Sequence, residues 1–189
     1  MEPFFRLHLE LHEGRSELLT VTGAHTLDAY ARLRGDARAL DSAARACDAV
    51  GRLFETSEPH PGVFHLLCRQ LLLLDEQPSS ATRAGALAFR MKLLLAAGLA
   101  PQLGACACCG EHEHLVGFSG SAGGVVCGAC ESASFPLGEQ AHGFMTQALG
   151  RPLTEAPDAP DPVLGQVERA VSETLEHHAH MRLMAASAS

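Results

Sequence analysis

Residues 89–110 read FRMKLLLAAGLAPQLGACACCG, and residues 123–130 read GGVVCGAC. Together they place Cys106, Cys109, Cys127 and Cys130 as C-x2-C, seventeen residues, C-x2-C. Two thiol pairs so spaced can close tetrahedrally around one zinc ion. Gly110 follows Cys109, and Gly128 lies inside the second pair. Glycine lets the backbone turn tightly there and aim N–H groups at sulfur. That matters because four thiolates on Zn²⁺ leave about two negative charges to disperse. Between the pairs, Leu115, Val116 and Phe118 precede a turn over residues 119–124, and Val125 and Val126 follow it. This is the pattern of a β-hairpin. A zinc-ribbon-like module over 101–135 is expected, with structural zinc as its cofactor and Cys106, Cys109, Cys127 and Cys130 as the metal ligands.

Disulfides are the competing reading of these thiols. The chain has seven cysteines, an odd number, and Met1–Glu10 carries charges where a signal peptide would be apolar. A reducing cytoplasm fits better than a secretory route. Cys108 could stand in for Cys106 or Cys109, but C-x2-C-G makes the better knuckle. Cys47 and Cys68 sit in apolar helical patterns and read as core thiols. A four-thiolate site is closed, whereas hydrolytic zinc needs an open position. No H-E-x-x-H occurs, and no proline precedes either cysteine pair as the deaminase pattern requires. His112 and His114 compete weakly as ligands and read better as a solvated loop. No catalytic residue is expected, and the chain does not read as an enzyme. Nor does the module read DNA directly: Pro101–His142 contains no lysine or arginine, but has Glu111, Glu113 and Glu131.

Working outward, the rest is mainly α-helical. The 189 residues are 47% apolar, with net charge −8, one tyrosine and no tryptophan. That suffices for a core built of Leu, Ala, Val and Phe, and it argues against a generic polyanion binder. No apolar run approaches the length of a membrane span. Residues 4–11, FFRLHLEL, alternate as a half-buried strand, with Leu18–Thr22 returning as its partner. A short helix is expected over 26–34. Another is expected over 37–55, with Leu40, Ala44, Cys47, Val50 and Phe54 buried and alternating charges on another face. Further helices are expected over 63–75, 81–98 and 139–149. The 81–98 helix, apolar nearly all round, should be central. A proline-rich linker spans 151–160. Asp161 as N-cap and Pro162 then start a last helix, with Leu164, Val167, Val171 and Leu175 inward. His177, His178 and His180 close that helix, and the AASAS tail is expected to fray.

The run Phe89-x-x-Lys92-Leu93-Leu94, then Gly98-x-x-Pro101, then Cys106-x2-Cys109-Gly110, resembles the RecO recombination mediators of bacteria. The likeness continues with Gly123-Gly124-x-x-Cys127-x2-Cys130. Upstream, Val63–Leu67 with Leu71–Leu74 resembles the helix before the family's central one. Phe4–Leu11 resembles the end of its N-terminal OB-fold. The resemblance implies a truncated OB remnant over 1–22 and a helical domain over 23–189 with the zinc module inserted. It implies a recombination mediator that binds single- and double-stranded DNA and promotes annealing. Such a protein works with RecR and RecF, and helps replace single-strand binding protein by RecA on gapped DNA in the bacterial cytoplasm. Arg6, Arg15, Arg83, Arg90 and Lys92 are the candidate DNA contacts. The alternative is an acidic, zinc-stabilised scaffold that binds proteins and has no DNA affinity of its own.

Overall fold

The computed structural model describes residues 3–14, 18–54, 58–131, 134–180 and 183–186. Alternation in the first residues produces strand β1 (Arg6–Glu13), paired antiparallel with β2 (Leu19–Asp28). Two bulges interrupt the register, at Arg6/Leu7 and Glu10/Leu11. Leu7, Leu9 and Leu11 oppose Thr26, Ala24 and Val21 on one face. That face is uncovered among the described residues: Leu9 is 39%, Leu11 51% and Val21 49% exposed. β1 and β2 pair only with each other there, so they form an open hairpin and not a closed barrel. Two strands alone are marginal in water. Leu33, Tyr30 and Phe4 nevertheless tie the hairpin's base into a small core with Ala39, Ala43, Leu71 and Leu74.

The helix expected over 26–34 is absent. Thr26 and Asp28 stay in β2, past the expected 22/23 boundary, because Asp28 pairs with Arg6 across the sheet. Tyr30, at φ 43°, turns the chain away, and only a single 3-10 turn (Leu33–Gly35) follows.

Helix α1 (Ala37–Leu53) starts at Asp36, whose carboxylate accepts from the amides of Arg38 and Ala39. Its buried face is Ala39, Ser42, Ala43, Ala46 and Ala49. This corrects the expected stripe: Leu40 stays 37% exposed, and small alanines instead let α1 lie close to its neighbours. The alternating charges do pair as expected, Arg45 with Asp41 at 2.8 Å and Arg52 with Asp48 at 2.9 Å.

Helix α2 (Pro61–Glu76) packs on α1 and on α3 (Arg83–Ala96). Thr82 caps α3 by accepting from the Gly85 amide. Helix α3 is central, with Leu87, Ala88, Phe89, Met91, Leu93 and Leu94 all buried. It ends in a Schellman turn: the Leu99 amide reaches Leu94 O at 2.8 Å and the Gly98 amide reaches Leu95 O at 3.1 Å.

The ribbon follows as β3 (Leu115–Ser119) and β4 (Gly124–Cys127), with a third short strand, β5 (Phe135–Pro136), on the far side of β3. Helix α4 (Glu139–Gly150) and helix α5 (Asp161–His178) complete the bundle. The connection between them contains a 3-10 turn at Leu153–Glu155. Pro160, one residue earlier than expected, is the N-cap of α5, so Asp161 lies inside the helix. The main core joins α3, α4 and α5 to the ribbon through Phe118, Val125 and Phe135. The chain end also departs from expectation. Ala186 is buried, and residues 183–186 lie on the bundle. Of the tail expected to fray, residues 187–189 lie outside the described residues.

Candidate metal centre and its surroundings

The two cysteine pairs meet because three segments are threaded together. Residues 102–107 run beside β4: the Gln102 amide donates to Gly123 O, the Val125 amide to Gln102 O and the Ala107 amide to Val125 O. A Cβ on Gly124 would sit 2.3 Å from Gln102 O, so only glycine permits this approach. Gly110, at φ 80°, closes the first knuckle, with its amide on Cys106 O at 2.9 Å. The Cys130 amide closes the second on Cys127 O at 2.9 Å. Gly128, expected to serve as Gly110 does, has no positive φ.

The result is a cluster of four sulfur atoms. The Sγ atoms of Cys106, Cys109, Cys127 and Cys130 lie within 4.8 Å of one another, positioned to hold a metal ion. Cys109 Sγ and Cys127 Sγ are 3.7 Å apart. Cys106 and Cys127 are buried, whereas Cys109 is exposed. Cys108 is also exposed and stands outside the cluster. His112 and His114 are outside it too. The Nδ1 of His112 instead faces Gly104 O at 3.0 Å. Among the described residues the histidines ending α5 form no second metal cluster.

The thiols do not ionise alike. The Cys127 amide, followed by the amides of Cys109 and Cys108, draws the Cys106 thiol down to about 6. Hydrogen bonds that the Cys130 thiol gives to Cys109 and then Cys127 push its pKa up to about 12. Four sulfurs this close cannot all carry charge unaided, and a divalent cation removes that repulsion.

The far end of the ribbon is bolted to the bundle. Glu173 on α5 accepts from the Gly120 amide at 3.4 Å. His178 Nε2 donates to Gly120 O at 2.9 Å, and His142 Nε2 on α4 donates to Leu103 O at 2.7 Å. The Arg169 guanidinium stacks 4.1 Å from the Phe135 ring centroid.

Of the five candidate DNA-contacting cations, the four that lie among the described residues are each engaged within the fold. Arg83 bonds Glu168 at 2.7 Å and Asp161 at 3.1 Å; the Glu168 hydrogen bond raises its pKa. Arg90 is only 6% exposed, and its NH1 lies 3.6 Å from Glu168. Burial lowers the Arg90 pKa. Its other terminal nitrogen donates to Met184 O. Arg83 and Arg90 are thus both engaged by Glu168 within the fold. Burial also lowers the Lys92 pKa, and its ammonium points at Leu149 O, 3.3 Å away, at the end of α4. Arg6 pairs with Asp28 at 3.1 Å, and Arg15 lies outside the described residues.

Glu168 was invisible in the sequence. It serves Arg83, Arg90 and the Ala186 amide at once, from positions far apart in the chain. The available signal was a pair of arginines on an otherwise apolar helix, which needed a carboxylate from elsewhere.

Residues 34–186 match the family described as Recombination protein O C terminal. The DNA repair protein RecO of Anaeromyxobacter dehalogenans (strain 2CP-C) is 33% identical over 194 residues, covering 98% of this chain and 75% of that protein. Its namesake in Anaeromyxobacter sp. (strain Fw109-5) is 34% identical over the same shares. That of Desulforudis audaxviator (strain MP104C) is 30% identical over 154 residues, 81% of this chain and 60% of the relative. The Anaeromyxobacter matches take in the hairpin, which lies before the segment matched by the family model.

Proposed function

The chain belongs to the recombination protein O family, and from that premise we propose that it is a non-catalytic recombination mediator in DNA repair. The observation that carries this reading is the family match over 34–186, which spans the central helix and all four clustered cysteines. Relatives named DNA repair protein RecO support it. On this reading the chain binds single- and double-stranded DNA and promotes annealing. It works with RecR and RecF, and helps RecA displace single-strand binding protein on gapped DNA. Its place is the bacterial cytoplasm. Among the described residues no helix is long and apolar enough to cross a membrane. The hairpin is the end of an OB-fold, which would supply groove contacts to DNA.

Zinc is the proposed ion. Tetrahedral Zn–S bonds of about 2.3 Å put sulfurs about 3.8 Å apart, close to the 3.7 Å between Cys109 and Cys127. Four thiolates leave no coordination position for a reacting water. The ion's work here is to hold residues 102–130 together. Arg6, Arg15 and Lys92 remain the proposed phosphate contacts.

A second reading, a protein-binding scaffold, draws on one feature. The net charge is −8, and Arg83 and Arg90 are already committed to carboxylates. Fluorescence anisotropy with a labelled single strand separates the two. The mediator reading predicts binding at 50 mM salt that weakens steeply by 200 mM, with a log–log slope of about −0.7 per phosphate contacted. Absence of binding by the zinc-loaded chain at low salt would overturn it in favour of the scaffold.

A further inference from the structure

Where the hairpin meets the bundle, a cavity of about 360 Å³ opens to solvent. Arg6 of β1, Asp28 of β2 and Tyr30 line one side, and His65, Arg69 and Leu72 of α2 line the other. We infer that this cavity is a phosphate-binding site, with Arg69, Arg6 and His65 as the groups that take the anion.

The charges are unequal. Two guanidinium groups and an imidazole face a single carboxylate, in a chain whose net charge is −8. Asp28 holds one terminal nitrogen of Arg6, NH1, at 3.1 Å, and so fixes that side chain at the cavity wall. The Arg6 Nε is buried and has no partner among the described residues, leaving one donor unspent. Such orphan donors are uncommon in folded proteins and mark places where an acceptor belongs. Arg69 is exposed, and no carboxylate or carbonyl engages it among the described residues. His65 lies one helical turn before it, on the same side of α2. A guanidinium presents its donors in a planar fork matched to phosphate oxygens. Ligand pockets begin at roughly 300 Å³, so the space admits a phosphoryl group with a sugar attached. Leu72, 44% exposed, supplies an apolar edge for such a sugar.

The backbone is shaped to leave this space. Tyr30 holds a left-handed φ of 43°, which carries the chain out of β2 while its buried ring packs in one small core with Leu71 and Leu74 of α2. The cavity is therefore framed by two elements that Tyr30 locks together. The site stands on this geometry, and the DNA-binding proposal bears only on which phosphate fills it.

Tyr30 also provides the test, because it is the only tyrosine and there is no tryptophan. Its emission reports the cavity alone. Titration of the zinc-loaded full chain with inorganic phosphate should give a saturable change, absent with chloride at equal ionic strength. Arg69→Ala should raise the half-saturating concentration at least tenfold with its melting temperature unchanged, and Arg69→Lys should lose less. A response equal to that of chloride, or one unaltered in Arg69→Ala, overturns the site. If Arg69→Ala is poorly folded, Arg69→Gln is read in the same way. Oligonucleotides identify the source. A response to a 5′-phosphorylated strand but not to its 5′-hydroxyl twin assigns a terminal phosphate. Equal responses assign a backbone phosphodiester, and a response to inorganic phosphate alone assigns the free anion. DNA that binds by anisotropy while Tyr30 stays silent to every phosphate sinks the cavity and leaves the mediator reading standing. A phosphate response without DNA affinity does the reverse.

Discussion

Glu168 shows how much one side chain can organise. Its side chain is 18% exposed, and its carboxylate meets Arg83, Arg90 and the amide of Ala186. Arg90, buried in the central helix, depends on it for a counter-charge. Removing one partner of a buried pair commonly costs about 3–5 kcal/mol, because the other charge is left stranded. Glu168→Ala is therefore expected to lower the melting temperature by about 6–20 °C in a chain of this size. Residues 183–186 should become more accessible to protease in the same variant. A change of only a degree or two would show that Arg90 finds another partner. The sequence displayed Arg83 and Arg90 plainly but not what they face. Both were candidate DNA contacts. Only the docking of α5 against α3 brings Glu168 to them and makes internal ion pairs.

Helix identity was legible in the sequence, but faces and joints were less so. The ribbon hairpin was readable because its turn glycines sit between two short apolar runs, and β3 and β4 form there. The inward stripe of α5 was readable because Leu164, Val167, Val171 and Leu175 are large and regularly spaced. Helix α1 buries a different face from the stripe that holds its largest apolar side chains. Its packed face is alanine, where backbones approach closely, and Leu40 is left on the rim. This face can be tested directly. Ala43→Leu should destabilise by about 1–3 kcal/mol through overpacking, while Leu40→Ala should cost well under that in chemical denaturation. The opposite order would restore the leucine stripe. The segment after Thr22 misled for another reason. A strand is fixed by its partner, and the pairing of Thr26 and Asp28 with β1 is a contact no local window contains.

At the scale of the molecule, the tip and the base of the ribbon are held by different means. Its tip is fastened by Glu173 and His178 on α5, and its base is gathered by four cysteines contributed from two separated knuckles. The tip is secured by ordinary hydrogen bonds and by the core residues Phe118, Val125 and Phe135. The base packs around Val126 with Leu115 and Ala122 partly buried against it, and on the proposed zinc reading its order depends on the ion. Cys127→Ser should thus free residues 102–114 to exchange their amides while α1 and α2 stay protected. Cys108→Ser, outside the cluster, should change neither metal content nor exchange. The most direct measurement is zinc analysis of the purified chain joined to X-ray absorption at the zinc edge. One zinc per chain with four sulfur neighbours at about 2.3 Å is the expected result. A folded chain without metal, or a zinc bound by nitrogen and oxygen, would contradict it.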